Sequence, residues 1–405
     1  MKKVYVVSAK RTPIGAFMGT LSDMHPADYG ADVVKSMLNE TGAPTDAFDE
    51  VIVGNILPAG LGMNVARQVS IKAGLPVETP AYAVNMVCGS GMKSVINAYT
   101  NIQAGMSDLV IAGGVESMSG APYLIPGKAR KGIKMGGFST KDHMIDDALT
   151  DVFNQYHMGV TAENIVESYG ISREAQDAFA AESQRRAKAA IDAGKFTDEI
   201  VPITIKHRKG DFVFDTDEHP NPTSTEEKLA KLRPAFKKDG SVTAGTSSGI
   251  NDGASFMMIA SEDAVKKYNL TPLLEIEGVG QGGIDPKVMG LGPVPAIENA
   301  LKNSAVSFKD IGLMELNEAF AAQSLGVLKD LEKAYDVTTE DVLDYTNVNG
   351  GAIALGHPVG ASGNRITVTL AHEMLKRKEN YGLASLCIGG GMGTAIILKQ
   401  LEGKQ

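Results

Sequence analysis

Hydrophobic and polar residues alternate along the first part of the chain in a pattern that predicts short strands separated by helices. The predicted strands are valine- and isoleucine-rich runs at 3–8, 50–53 and 109–112. Segments 27–39 and 64–73 repeat apolar residues at helical spacing, so each predicts a helix with one buried side. Strands that alternate with helices indicate a mostly parallel sheet with helices on both faces.

The same pattern returns near residue 272 and predicts a second, similar half. Runs at 275–279, 312–316 and 383–388 predict strands, and each leads into a polar or glycine-rich turn, as in the first half. The match extends to single residues, because 50–53 leads into Asn55 and 312–316 leads into Asn317. Two similar α/β halves usually pack face to face, and a site between them draws residues from both. Coincidence among glycine-rich units is the competing explanation.

Between these halves, at about 119–248, the strand signal fades and glycine and lysine become frequent. One strong helix is predicted here, from an N-cap at Ser172 to a stop at Gly194. This region predicts either a solvated surface insertion or an electropositive rim for a phosphate-bearing ligand. Its basic residues fall into three groups: Lys128, Arg130, Lys131 and Lys134; Lys206, Arg208 and Lys209; Lys231, Arg233, Lys237 and Lys238.

Cys88 stands where a valine-rich run meets a helical pattern. Residues 83–87 predict a buried strand, and apolar residues repeat at helical spacing from Met92 until Gly105. The cysteine sulfur is therefore expected at or near a helix N-terminus, where free N–H groups and the helix dipole favour the thiolate. This position makes Cys88 a candidate nucleophile. An inert buried cysteine is the alternative.

Three stretches of the second half carry further candidate chemistry. Asn317 ends a predicted strand with a side-chain amide that can hold a water or a substrate oxygen. His357 lies in a loop whose many glycines fix an irregular backbone around one imidazole. Cys387 precedes glycines 389–391, whose N–H groups could face an oxyanion.

Composition restricts the classes of function. The chain has 405 residues, of which 43% are hydrophobic and 21% charged, as is ordinary for a soluble enzyme with more than one packed unit. A net charge of −9 argues against a general nucleic-acid binder. Two cysteines cannot form a disulfide framework and fit a reducing cytosol, and no apolar run approaches a membrane span. We expect no metal site, because the spacings Cys-x-x-Cys and His-x-x-x-His are absent.

These motifs together resemble those of the thiolases, and among them the acetyl-CoA acetyltransferases. The resemblance runs nearly end to end and rests on 9–15, the Cys88 stretch, 112–119, Asn-Glu-Ala-Phe-Ala at 317–321, and the His357 and Cys387 loops. It implies an α/β fold with a duplicated five-layer αβαβα core and an inserted loop domain. It also implies a cytoplasmic homotetramer built as a dimer of dimers, without nucleic-acid or membrane partners. The expected units are an N-terminal half at 1–118 and 249–271, an inserted loop domain for coenzyme A (CoA) at 119–248, and a C-terminal half at 272–405.

The resemblance also implies a mechanism. Cys88 would carry the acyl group as a thioester, and His357 would accept its proton. Cys387 would move the proton on the α-carbon of acetyl-CoA. Asn317 would hold a water that, with His357, stabilises the enolate, and the N–H groups of Cys88 and Gly389 would bind the other oxyanion.

The implied reaction is the reversible joining of two acetyl-CoA to acetoacetyl-CoA and CoA, with CoA thioesters as substrates and no cofactor. A broad-range 3-ketoacyl-CoA thiolase is the alternative within the family. Two other classes share the fold and are disfavoured. A ketoacyl-synthase type of enzyme is expected to carry a second histidine at position 387, where this chain has cysteine. A non-catalytic relative would have little reason to keep both thiols and His357.

The resemblance assigns further residues to CoA binding, namely His157, Met158, Arg233, Phe236, Ala244, Ser248, Ala319 and Phe320. The chain departs from the family pattern at Thr246 and Ser247, and at Asn221, where many members carry arginine near the adenine. Bulky side chains at His157 and Met158, with Met86 and Met392 beside the reactive loops, predict a preference for acyl chains of up to about four carbons.

Overall fold

The computed structural model describes residues 2–206 and 208–401. Residues 1 and 402–405, which belong to the outer ends of the first and last expected units, lie outside the described residues. The strands are β1 Val4–Arg11, β2 Gly15–Ala16, β3 Glu50–Gly54, β4 Ala81–Val84, β5 Leu109–Ser117, β6 Tyr123–Leu124, β7 Lys141–Asp142, β8 Thr150–Asp151, β9 Tyr156–His157, β10 Ile203–Ile205, β11 Phe212–Phe214, β12 Asn251–Ser261, β13 Leu274–Gly283, β14 Leu313–Leu316, β15 Tyr381–Ile388 and β16 Met392–Gln400. The α-helices are α1 Pro26–Thr41, α2 Val65–Ala73, α3 Ser90–Gln103, α4 His143–Ala148, α5 Met158–Tyr169, α6 Arg173–Asp192, α7 Glu226–Leu229, α8 Glu262–Lys267, α9 Pro293–Lys302, α10 Ala321–Tyr335, α11 Thr339–Asp344, α12 Ala352–Leu355 and α13 Val359–Arg377.

The larger strands pair into one continuous sheet in the described part of the chain. Its order is β14-β15-β16-β13-β1-β12-β5-β3-β4, with β2 beside β12. The four strands from β14 to β13 come from the second half, and the five from β1 to β4 come from the first. Among the described strands, the two sets are joined where β1 pairs with β13, through Tyr5 opposite Glu275 and Val6 opposite Leu274.

Helices α3 and α13 form the middle layer of the molecule. They pack on each other, and their apolar residues share one core with strands of both halves, including Val95 and Ile366 with Val110 and Leu386. Helices α1 and α2 cover the outer face of the first half, and α9 and α10 cover that of the second. The layers therefore run outer helices, first-half strands, middle helices, second-half strands and outer helices. The expected α/β class is confirmed.

The predicted elements of both halves form, with ends shifted by a few residues. Helix α2 begins at its Asn64 cap and ends at Gly74, and Ser172 caps α6 by accepting a hydrogen bond from Ala175 N–H. The expectation of a mostly parallel sheet was wrong. Strands β12 and β16, which the sequence pattern did not reveal, pair antiparallel with both of their neighbours and make the sheet mixed.

The strand before Cys88 is not buried as expected. Strand β4 lies at the end of the sheet order, and its Tyr82 and Ala83 side chains are exposed. The valine-rich pattern overstated burial because an edge strand has a neighbour on one side only.

The segment at 119–248 is built from short helices and two-stranded pairs around α5 and α6. A buried ion-pair network holds it to β1, since Arg11 donates to Glu199 (2.6 Å) and to Asp217 (2.6 and 2.9 Å). None of the described helices combines the length and the hydropathy needed to cross a membrane.

Candidate active site

A cleft of about 530 Å³ opens between the two halves and the inserted segment. It brings together most of the residues that the sequence singled out, although they lie far apart along the chain. Those that line it are Cys88, His157, Met158, Phe236, Ala244, Ser248, Ala319, Phe320, His357, Cys387 and Gly389. Asn317 and Arg233 are not among its lining residues, and neither are Met86 and Met392, expected beside the reactive loops.

The turn that carries Cys88 is strained at the preceding residue. Val87 has φ 44°, a left-handed conformation that is rare for a β-branched side chain. Ser90 stabilises the turn, because its hydroxyl accepts from Met86 N–H (2.8 Å) and donates to the Val87 carbonyl (2.6 Å). Gly89 follows, and a Cβ there would lie 2.3 Å from Ile388 Cδ1. The strained residue of this turn is therefore a valine and not a glycine.

The backbone N–H groups of Gly389 and of Cys88 itself lie close enough to the Cys88 sulfur to favour its charged form. These are the two donors expected to bind an oxyanion, and they come from opposite halves of the chain. Burial nevertheless raises the pKa of Cys88 to about 11, while the two N–H groups lower it by less. Desolvation therefore outweighs the N–H groups, which favour the thiolate as the sequence predicted but do not make it the resting form.

His357 is held by its backbone and by its ring. Its N–H donates to Asn251 Oδ1 (2.9 Å), and Asn251 Nδ2 donates to the Gly15 carbonyl (3.0 Å). The ring Nδ1 lies 2.6 Å from Ser362 Oγ. Burial, with a contribution from the positive Arg365, lowers the pKa of His357 to about 3. The resting imidazole is neutral and able to accept a proton.

Cys387 lies at the end of β15, with its side chain buried. Burial and the proximity of Cys88 both raise the pKa of Cys387 above its usual value. The chain then turns through Gly390 and Gly391, which have φ of 88° and 85°. A Cβ on Gly391 would lie 2.2 Å from the Ile284 carbonyl oxygen, so this turn requires glycine. It directs the N–H of Gly389 toward Cys88.

Asn317 follows β14, and its backbone N–H donates to Ser385 O (3.0 Å), two residues before Cys387. The residue is 1% exposed. Among the described residues, neither its Oδ1 nor its Nδ2 has a hydrogen-bond partner. Buried amides are nearly always satisfied, so this side chain is available to a water or a substrate oxygen.

Glu116, which the sequence did not single out, connects the loop after β3 to the start of α13. Its oxygens accept from Asn55 Nδ2 (3.0 Å), Ile56 N–H (3.1 Å), Leu57 N–H (3.1 Å) and Gly360 N–H (2.9 Å). Burial raises the pKa of Glu116 to about 8, although these backbone donors lower it. All four contacts donate to its oxygens, as they would to a carboxylate, and they hold the His357 segment against the first half.

Aromatic side chains form one wall of the cleft. The His157 ring stacks on Phe236 at 4.7 Å and 17°, and Phe236 meets Phe320 edge-on at 5.9 Å. Ser248 N–H donates to the Ala319 carbonyl (2.9 Å), which joins the inserted segment to the second half. Met289 and Leu149 also line the cleft, and the sequence analysis did not identify them.

Two of the residues that depart from the family pattern, Asn221 and Ser247, form hydrogen bonds with residues two to four positions away in the chain. Asn221 Oδ1 accepts from Thr223 N–H (3.1 Å) and Oγ1 (2.9 Å), and Ser247 Oγ donates to Thr243 O (2.6 Å). Arg233 is exposed, outside the cleft lining. No group of three His, Cys, Asp or Glu residues within 2–206 and 208–401 is arranged to hold a metal ion.

Comparison with known proteins covers nearly the whole chain. Residues 4–263 match the model of the thiolase N-terminal domain, and residues 270–400 match that of the thiolase C-terminal domain. The chain is 52% identical over 404 residues to an acetyl-CoA acetyltransferase of Syntrophomonas wolfei subsp. wolfei, covering 99% of this chain and 100% of that protein. Its structure matches a Bacillus anthracis acetyl-CoA acetyltransferase with a TM-score of 0.94 and 43% identity, over 99% of each chain. It also matches human mitochondrial 3-ketoacyl-CoA thiolase in complex with CoA, with a TM-score of 0.92 and 46% identity, over 99% and 98% of the two chains.

Proposed function

Because the chain belongs to the thiolase family and is an acyltransferase, we propose that it acts as an acetyl-CoA C-acetyltransferase through a covalent acyl group on Cys88. It joins two acetyl-CoA to acetoacetyl-CoA and CoA, reversibly and by a ping-pong mechanism. One observation carries the proposal. Two thiols, one neutral imidazole and Gly389 line a single cleft, in which the Gly389 N–H favours the charged form of the Cys88 sulfur.

In the first half-reaction, Cys88 attacks the carbonyl carbon of acetyl-CoA while His357 takes the thiol proton. A neutral thiol next to a neutral base suits this step, since charge then forms only as the sulfur–carbon bond forms. The N–H groups of Cys88 and Gly389 stabilise the developing oxyanion. Collapse breaks the bond to the CoA sulfur, which leaves with the proton held by His357.

In the second half-reaction, another acetyl-CoA enters, His357 takes the thiol proton of Cys387, and the resulting thiolate takes a proton from the α-carbon of that acetyl-CoA. The raised pKa of Cys387 makes that thiolate a strong base once it forms. The resulting enolate oxygen is stabilised by His357 and by a water held on the amide of Asn317. The carbanion then attacks the acetyl group on Cys88, which forms the new carbon–carbon bond and releases the Cys88 sulfur. The imidazolium of His357 returns its proton to that sulfur, so both thiols and the neutral imidazole are restored.

The substrate class follows from the cleft. Its volume of about 530 Å³ lies within the range of small-molecule sites. The bulky side chains of Phe236, Phe320, Met158 and Met289 line the cleft, which supports a preference for acyl chains of up to about four carbons. The similarity to human 3-ketoacyl-CoA thiolase supports the second candidate, a broad-range 3-ketoacyl-CoA thiolase.

The protein assembles as a cytoplasmic homotetramer, a dimer of dimers. Large apolar side chains are exposed on the inserted segment, including Tyr123 (70%), Met135 (93%) and Phe153 (69%). The outer edge of β4 is unpaired among the described strands. Exposed apolar surface and an unpaired strand edge are features that contact with further copies would cover. Light scattering that gives a monomer with full activity would contradict this part.

Intact mass spectrometry tests the covalent step. Wild-type protein mixed with acetyl-CoA alone should gain one acetyl group per chain and release one CoA, whereas Cys88→Ser should gain none. Equal acetylation of both proteins would reject the assignment of Cys88.

A thiolysis series with 3-ketoacyl-CoA of C4 to C16 tests the substrate range. We expect kcat/KM to fall sharply beyond C4. Comparable values across the series would favour the broad-range enzyme and leave the catalytic roles unchanged.

A further inference from the structure

Ser362 touches the ring of His357 from the second turn of α13. Its Oγ lies 2.6 Å from His357 Nδ1 and 2.9 Å from the Pro358 carbonyl oxygen. The serine is 1% exposed, so these contacts are shielded from bulk water. Because Pro358 separates His357 from the helix, Ser362 joins the imidazole to the rigid part of α13.

The protons in this chain of contacts can be counted. A serine hydroxyl carries one hydrogen, and a carbonyl oxygen carries none. The contact with the Pro358 carbonyl is the bond that a helical serine makes to the carbonyl four residues earlier, and that carbonyl can only accept. When Ser362 donates there, the hydrogen between Oγ and Nδ1 comes from the imidazole. Nδ1 then carries the ring proton, and Nε2 keeps its lone pair.

The opposite arrangement would disable the base. If Ser362 donated to Nδ1, the neutral ring would carry its proton on Nε2, with no lone pair left there for the proton of Cys88. The two arrangements share the same heavy-atom positions and differ only in the position of hydrogens. The fixed tautomer of a catalytic histidine is commonly set by the partner of its other ring nitrogen.

We propose that Ser362 is a positioning residue that holds His357 as the Nδ1–H tautomer and directs Nε2 into the cleft to accept the Cys88 proton. This inference rests on the proposed function, because it concerns the base of that reaction. Ser362 itself exchanges no proton with substrate. Its effect belongs to the chemical step and not to the binding of acetyl-CoA.

Single-turnover acetylation of Cys88, followed by quenching and mass spectrometry, measures that step. Ser362→Ala should lower the limiting rate about 10- to 100-fold, because a buried Nδ1–H without a partner no longer favours the active tautomer. The acetyl-CoA concentration for half-maximal rate should stay within about twofold of wild type. Ser362→Thr keeps the hydroxyl and should restore most of the rate.

Two controls separate this role from damage to the helix. Thr367 is buried in α13 and its hydroxyl donates to the Gly363 carbonyl (2.8 Å), the same kind of helix bond without a histidine. Thr367→Val should acetylate like wild type. Alkylation of Cys88 at pH 10, where the thiolate forms without a base, should be equally fast in Ser362→Ala and wild type.

The outcomes are distinguishable. Equal acetylation rates in Ser362→Ala and wild type would overturn the role of Ser362. So would an equal loss in Thr367→Val, or a Thr variant as slow as the Ala variant. A wild-type protein that acetyl-CoA does not acetylate would reject the proposed function, and this inference with it.

Discussion

The N–H of Gly389 lies close to the sulfur of Cys88 across the boundary between the two halves of the chain, where it favours the thiolate. Cys88 precedes α3 and Gly389 follows β15, so the contact exists only when both halves have packed on the middle helices. Close packing enforces it, because Ile388 occupies the place of any side chain at position 89. The chemistry of this thiol is therefore a property of the assembled fold.

The first prediction concerns the resting state of Cys88. Since its pKa is raised to about 11, the thiol is neutral at pH 7, and its thiolate fraction grows about tenfold per pH unit. Alkylation of Cys88 by iodoacetamide should rise about 100-fold between pH 7 and pH 9 without levelling off. Peptide mass spectrometry assigns the site, with Cys88→Ala as the blank. A plateau below pH 7 would indicate a thiolate–imidazolium pair instead.

The second prediction separates the two thiols. Cys387→Ala should still acetylate Cys88, because the N–H groups and His357 remain, but it should lose condensation and thiolysis. A general acid–base group contributes about a hundred- to ten-thousand-fold. Steady-state thiolysis of acetoacetyl-CoA, measured beside single-turnover acetylation, checks both parts. Near-normal turnover would place the proton transfer on another group.

Local sequence signals were sufficient for helix boundaries. Ser172 caps the start of α6 as predicted, because a cap depends on neighbours a few residues away. The internal repeat predicted a site between the two halves, but that Cys88, His357 and Cys387 share it could be expected only from the family resemblance. Glycine-rich loops indicate an irregular backbone, but hydrophobic periodicity does not indicate which loops lie close together in the folded chain.

Features that depend on residues distant in the chain were not predicted correctly from the sequence. The direction of the Cys88 pKa shift depends on burial by the other half, which a helix N-terminus does not reveal. The contacts of Glu116 and Ser362 were missed, since a buried polar residue looks like a surface one in a single sequence. Strand β12 was missed because Asn251, Asp252, Gly253 and Ser255 break the apolar pattern of its first half, although every residue in it is buried.

The third prediction contrasts two asparagines. Asn317→Ala should leave the urea midpoint nearly unchanged, because its amide has no partner among the described residues, yet activity should fall about 10²- to 10³-fold. Asn347 differs, because its side chain bonds Leu316 N–H (2.9 Å), the Leu316 carbonyl (2.7 Å) and Glu318 (3.0 Å). Asn347→Ala should cost about 3 kcal/mol of stability. A stability loss for Asn317→Ala as large as that for Asn347→Ala would show a structural role for Asn317.

The fourth prediction concerns Glu116. Glutamine at this position replaces one acceptor oxygen by an NH₂ group that faces N–H donors. Glu116→Gln should therefore lower the free energy of unfolding by about 2–4 kcal/mol and lower the urea midpoint. Glu50→Gln is the matched control. The Oε1 of Glu50 accepts from Asn101 (2.7 Å) and Ser107 (2.8 Å), and a glutamine oxygen can accept both. Equal midpoints for the two variants would mean that Glu116 does not act as a carboxylate clamp.

The last prediction tests the aromatic wall as part of the CoA site. A Cβ on Gly159 would lie 2.2 Å from Phe236 Cγ, although helix α5 would otherwise favour alanine. Gly159→Ala should therefore move Phe236 off the His157 ring and raise KM for CoA thioesters about tenfold, with a smaller change in kcat. Gly127→Ala, where a Cβ has no atom within 4 Å, should behave as wild type in the same thiolysis assay. If KM stayed constant in Gly159→Ala while kcat fell, the stacked pair would belong to the chemical step and not to substrate binding.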